Sequence, residues 1–130
     1  MEKKIKPLLD DHLVEFVGEV DRAEKQKLLG SAYALLFPID WPEPFGLVMV
    51  ESMACGTPVI AYRAGSVPEV VDPGLTGFIV ETLDQSVEAL QKIQALDRKL
   101  CREVFERRFS SARMALDYLK IYEKLVSLAL

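Results

Sequence analysis

Apolar positions along this chain fall into two rhythms. Unbroken runs at residues 33–37 (YALLF) and 58–61 (PVIA) are flanked by Ser, Pro and Gly, which predicts strands buried on both faces. Between them, residues 47–55 are apolar or small nearly all round (Leu47, Val48, Met49, Val50, Met53, Ala54, Cys55), the pattern of a buried helix. Pro38, Pro42 and Pro44 keep residues 38–45 non-helical, because the residue before each proline is pushed towards extended geometry. The helix can therefore start only after Pro44. Strand, helix and strand with short connections make a right-handed parallel crossover. Ligands of open parallel sheets bind beyond the carboxyl ends of the strands, and the loop after Phe37 is at such an end.

The rest of the chain extends this pattern in both directions. Residues 1–10 read as the frayed remainder of a helix, and residues 13–17 (LVEFV) as a short strand ended by Gly18. Asp21 followed by Glu24 is a capping arrangement, so a helix is expected from Arg22 to near Gly30, with Ala23, Leu28 and Leu29 towards the sheet. After the central crossover come a loop at residues 63–65 and a short helix at 67–71 with Ser66 as its N-cap. A turn at Asp72-Pro73-Gly74 leads to a last short strand at 76–80. From Asp84 onward the pattern is helical. Val87, Leu90, Ile93 and Leu96 form one stripe, a second helix spans 97–108, and a third, capped by Ser110 or Ser111, runs to about Ser127. That last helix carries more apolar surface than one stripe needs, so part of it is expected to be exposed or self-associated. The fold class is α/β: an open parallel sheet of about four strands, helices on both faces, Rossmann-like, with a helical C-terminal tail.

The chemistry concentrates at the start of the central helix. The amides of Phe45, Gly46, Leu47 and Val48 lie at or near its first turn, where backbone donors have no partner inside the helix and the dipole adds partial positive charge. Gly46 removes a side chain where a ligand would need to come close to the backbone. Such a place suits an anion. Glu43 lies in the loop before it, and Glu51 about one and a half turns into the helix. A glutamate in so apolar a helix needs a partner. Glu51 could hold a neighbouring loop or pair with a buried Arg, and Glu43 could be a solvated loop residue. Together they could bracket a phosphate-bearing ligand.

Glu43 and Glu51 enclose seven residues, and the run EPFGLVMVESMACGTPVIA resembles the E-x7-E signature of family 4 glycosyltransferases, retaining enzymes with the GT-B architecture. The resemblance covers roughly residues 10–126, through FVGEV, ALLFPIDWPEPFG, AGSVPEVV, GLTGFIV, RRFS and YEKL. The loop at 63–65 departs mildly, with Ala64-Gly65 where the family usually has paired glycines. The resemblance implies transfer of a sugar from a nucleoside diphosphate sugar with retention at the anomeric carbon. It implies Glu43 on the transferred sugar's hydroxyls as the catalytic carboxylate, the amides of Phe45, Gly46 and Leu47 on the diphosphate, and Glu51 on the ribose. Val20 and Lys25 become candidate contacts to the base. No Asp-x-Asp motif is present, in keeping with a metal-independent family, and neither metal nor other cofactor is expected.

Composition limits the alternatives. The chain has 130 residues, half of them apolar, with a net charge of −4 spread without blocks, which suits one globular unit and offers no nucleic-acid footprint. A full GT-B enzyme has two Rossmann-like domains, so residues 1–130 are expected to be one partial domain, the later part of the donor-binding half. The missing N-terminal domain, or a separately encoded half, is then the expected partner. An Arg and a Lys that neutralise the diphosphate in the family lie upstream of this chain, so by itself it is expected not to turn over. The competing reading is a non-catalytic nucleotide-binding or assembly module that keeps the sheet. His12 reads as a surface residue, Asp10 and Asp11 as a solvated turn, and Cys55 and Cys101 form neither a disulfide nor a metal pattern. With no apolar signal core in the first residues and no run of ~18 apolar residues, a cytoplasmic location is expected.

Overall fold

The computed structural model describes residues 6–10 and 12–130. Its regular elements after an initial 3-10 turn (Lys6–Leu8) are α1 (Arg22–Ser31), β1 (Leu35–Phe37), α2 (Leu47–Ala54), β2 (Val59–Tyr62), α3 (Val67–Val70), β3 (Gly77–Val80), α4 (Leu83–Lys92), a 3-10 turn (Ile93–Ala95), α5 (Arg98–Phe109) and α6 (Ser111–Ala129). The sheet has the order β1-β2-β3, with both pairs parallel. Leu36 stands opposite Ile60, and Ile60 opposite Phe78. Strand β2 is the centre, and its alternation decides the two layers. Val59 and Ala61 point into a core with Met49, Met53, Val67, Val70, Val71, Cys101 and Val104. Ile60, on the other face, meets Val80, Ala89 and Ile93. Helices α2 and α5 thus cover one face and α4 the other, because successive strand residues point to opposite sides.

Helix ends follow local chemistry. At α1, the Asp21 carboxylate accepts the Glu24 amide at 2.8 Å while the Glu24 carboxylate accepts the Asp21 amide at 3.0 Å, a complete capping box. Thr82, Asp97 and Ser110 cap α4, α5 and α6.

Several expectations are corrected. Among the described residues the sheet has three strands rather than about four, since residues 13–17 join no ladder; Leu13 and Phe16 are 90% and 77% exposed. The Asp10 carboxylate accepts the amides of His12, Leu13 and Val14 at 3.1, 2.7 and 2.9 Å, so a side-chain turn takes donors that a strand would need. Those same amides hold the Asp10 carboxyl below its usual range. The expected partner of Asp10 in that turn, Asp11, lies outside the described residues, as do residues 1–5 of the expected first helix. Strand β1 is not buried on both faces: it is a sheet edge, α4 covers β2 and β3, and Leu36 stays 56% exposed. In α1 only Leu29 is buried, because this helix packs on α2 rather than on the sheet. In α4 the buried position is Ala89, followed by Ile93 in the 3-10 turn, while Val87 and Leu90 are exposed; a small residue lets the helix lie close to Phe78 and Tyr62. Ser66 occupies the N-cap position of α3 but makes no cap bond. Helix α6 buries no residue, and its apolar side chains are exposed along its whole length.

Candidate functional site

The loop between β1 and α2 is held at Glu43 from several sides. The Glu43 amide donates to the Trp41 carbonyl at 2.8 Å, and its carbonyl accepts the Ser66 amide at 2.9 Å. The Ser66 hydroxyl donates to the Phe45 carbonyl at 2.7 Å, which is why it does not cap α3. Gly65 passes so close that a Cβ there would lie 2.3 Å from the Glu43 oxygen and 2.4 Å from its nitrogen. The Trp41 indole N–H donates to Oε2 of Glu43 at 3.0 Å. Buried Ile39 anchors the start of the loop in the core.

Gly46 is the turning point. It is the N-cap of α2 at φ 74° and ψ 63°, a left-handed conformation that suits glycine. A Cβ there would meet Met49 Cε at 2.6 Å and Glu43 Cγ at 3.5 Å, so the Glu43 side chain lies beside the helix start. The first amide of this turn with a protein acceptor is that of Met49, which donates to the Gly46 carbonyl at 3.0 Å. Among the described residues, the amides of Phe45, Gly46, Leu47 and Val48 donate to no protein group. They form the donor end of an eight-residue helix. Phe45 and Leu47 are exposed around them.

Glu51 looks elsewhere. Its Oε1 accepts a hydrogen bond from Lys25 Nζ at 2.8 Å, with both side chains about two-fifths exposed (38% and 41%). The partner foreseen for a buried glutamate is therefore a lysine of α1. A cleft of about 510 Å³ between α1, α2 and α5 is lined by Arg22, Lys25, Gln26, Glu51, Cys55 and Arg102, among others. Glu43 is not among its lining residues. Val20 is half-buried and opens on a different hollow, with Phe16, Glu24 and Leu28. The structure thus brings Glu43 together with Phe45, Gly46 and Leu47, and Glu51 together with Lys25, as two neighbouring groups at the start and middle of α2.

The arginines that support these groups were not among the residues singled out above. Arg98 on α5 donates to the Ala32 carbonyl at 2.7 Å, to the Gly30 carbonyl at 3.0 Å and to the Thr57 hydroxyl at 2.7 Å. It closes the C-terminal end of α1, where cations are favoured. Arg102 does the same for α2 through the Ala54 carbonyl. Arg108 pairs with Asp72 at 2.7 Å and donates to the Glu69 carbonyl at the end of α3. Three arginines on one helix thus hold three helix ends. The one hint was the charged character of residues 97–108. Among the described residues no three His, Cys, Asp or Glu side chains gather as a metal would need. None of the described helices is long and apolar enough to cross a membrane.

Comparison with known proteins gives the class. The family described as "Glycosyl transferases group 1" matches residues 1–107, and the chain belongs to it. It is 36% identical over 126 residues to N-acetyl-alpha-D-glucosaminyl L-malate synthase from Bacillus anthracis, covering 91% of this chain and 32% of that protein. It is 31% identical over 117 residues to phosphatidyl-myo-inositol mannosyltransferase from Mycobacterium leprae, covering 85% of this chain and 31% of that one. The solved structure of sucrose-phosphate synthase from Thermosynechococcus elongatus superposes with a TM-score of 0.75 at 33% identity, over 98% of this chain and 34% of that one. The chain therefore spans about a third of the length of these three relatives. The open parallel α/β sheet expected from the sequence is the fold of the part it shares with them.

Proposed function

We infer that this chain is the later part of the donor-binding half of a retaining, family 4 glycosyltransferase of GT-B architecture. The whole enzyme moves a sugar from a nucleoside diphosphate sugar to an acceptor. The amides of Phe45, Gly46 and Leu47 receive the diphosphate, whose negative charge grows as the sugar leaves; preorganised donors at such a point lower the barrier without reorganising. Glu43 holds the hydroxyls of the transferred sugar, Glu51 takes the ribose hydroxyls, and Val20 and Lys25 lie towards the base. No metal takes part in this reading. The Lys25–Glu51 pair then has two states, closed in the free protein and opened or shared when a ribose arrives. Residues 1–130 by themselves bind a nucleotide weakly and do not turn over.

The observation that carries this reading is the group of four donor amides after Pro44 with the Glu43 side chain lying against their glycine. It is tested by titrating the protein with UDP, GDP and ADP, following backbone amide resonances. Binding that moves the amides of residues 45–48 supports the reading. Saturation with all three leaving those amides unmoved refutes it and favours the second reading, an assembly module that kept the sheet. That second reading draws on the exposed apolar length of α6.

A further inference from the structure

Trp41 is the only tryptophan of the chain, and its indole stands 54% exposed at the mouth of the β1–α2 loop. Its single donor is not left to solvent. The Nε1–H meets Oε2 of Glu43 at 3.0 Å, while the Trp41 carbonyl accepts the Glu43 amide at 2.8 Å. Backbone and side chain of one residue therefore grip backbone and side chain of the other across a three-residue turn. The remaining carboxylate oxygen, Oε1, has no protein partner among the described residues and is open to solvent. A carboxylate held by one oxygen and free at the other is oriented yet still able to accept. Hydrogen bonds to an ionised acceptor are the strong ones, and the rigid indole restricts the rotamer without covering the free oxygen.

We propose that Trp41 is the positioning residue of Glu43: its indole N–H fixes Oε2 so that Oε1 is presented to the hydroxyls of the transferred sugar. The proposal rests on the reading of Glu43 as the residue that holds that sugar. Ser66 and Gly65 fix where the Glu43 backbone lies, and Trp41 fixes where its carboxylate points. Gly65 and Ser66, neighbours in the loop after β2, act on the Glu43 backbone, whereas the Trp41 indole acts on its carboxylate. The side-chain orientation therefore depends on Trp41 alone among them.

The contact is read first in the free protein. A single tryptophan gives a single indole N–H resonance, and Glu43→Gln exchanges a charged acceptor for a neutral one. That resonance moves upfield in the variant; an unmoved resonance overturns the proposal. The second measurement compares affinities for UDP-glucose, GDP-mannose and ADP-glucose with those for UDP, GDP and ADP, so that the gain contributed by the sugar is isolated. Trp41→Phe keeps the ring and removes the donor. It is expected to reduce the sugar's gain about tenfold, the worth of one hydrogen bond to a charged group, with affinity for the bare nucleotide unchanged. In a Glu43→Gln background the same change adds no further loss. Trp41→Phe lowering sugar-bearing and bare nucleotides alike would mean general damage to the loop, and overturns the proposal. A gain that Glu43→Gln removes and Trp41→Phe leaves intact overturns it while the Glu43 assignment stands. No gain in the wild-type protein, or a gain untouched in Glu43→Gln, overturns that assignment and the proposal with it.

Discussion

Gly65→Ala is the most informative single perturbation of the site. Gly65 has φ +50°, so alanine there adopts a left-handed backbone at a cost of roughly 1–2 kcal/mol. Its Cβ would also lie 2.3, 2.4 and 2.8 Å from Glu43 O, Glu43 N and Pro42 C. All three are backbone atoms, which cannot swing aside as a side chain would. About an ångström of displacement, or its equivalent in overpacking, costs roughly 1–3 kcal/mol more. The expected total is about 2–5 kcal/mol, a large fraction of the stability of a small domain. Gly74→Ala is the matched control. Its φ is +78°, but a Cβ there meets no heavy atom within 4 Å, so only the backbone cost of about 1–2 kcal/mol applies. Urea denaturation of both variants gives the difference, provided the m-values agree. The Trp41 indole resonance gives the second readout, since relief of the clash must push the 42–43 backbone away from Ser66. The reasoning is refuted if Gly65→Ala is no more costly than Gly74→Ala and leaves the indole resonance in place.

Four further outcomes are expected. Arg98→Met removes the donor to the Gly30 and Ala32 carbonyls and the Thr57 hydroxyl and should cost about 2–4 kcal/mol in denaturant unfolding, more than an ordinary surface arginine. Glu51→Gln breaks a half-exposed ion pair and should change stability by less than about 1 kcal/mol, while weakening nucleotide binding in the titration; unchanged affinity in a protein that binds would remove the ribose assignment. Burial pushes the Cys101 thiol up to about 11, against a smaller opposing pull from Arg98. From about pH 8.5 upward the unfolded chain releases a proton that the fold retains, so stability should fall by up to about 1.4 kcal/mol per pH unit until pH nears the folded value; Cys101→Ala should flatten that slope in pH-dependent denaturation. Ending the chain after Ser110 removes a helix with no buried residue, so unfolding should remain cooperative and stability should shift by no more than about 1 kcal/mol.

What could be read in advance was mostly local. Pro44 marked the earliest start of α2 and Asp21 with Glu24 the start of α1, because prolines and capping boxes act through neighbouring atoms. The unbroken apolar run before Pro38 revealed β1 as a strand. It could not reveal that β1 lies at an edge, since this depends on which strands stand beside it. Residues 13–17 show the same limit: their composition suits a strand, but a strand requires a ladder, and Asp10 competes for their amides. At the candidate site, spacing and family resemblance singled out the glutamates and the amides, and the structure shows where each of them lies. Ser66 was read as a cap because that is its commonest use before a helix. Its actual partner, the Phe45 carbonyl, is 21 residues away in sequence and leaves no periodic trace. The roles of the α5 arginines were hidden for the same reason, as most of their acceptors are backbone carbonyls that every residue type provides.

Helix α3 has only four residues, too few to be stiff by itself. Its leading end is tied through Ser66 to the turn that carries Glu43, and its trailing end to Arg108 through Glu69 and Asp72. One turn of helix thus works as a spacer between a scaffold strut and the β1–α2 loop. Lengthening or shortening the segment between Ser66 and Asp72 by a single residue would rotate one anchor away from its mate by about 100°. Natural variation in this part of the fold should therefore exchange side chains freely while leaving the residue count alone.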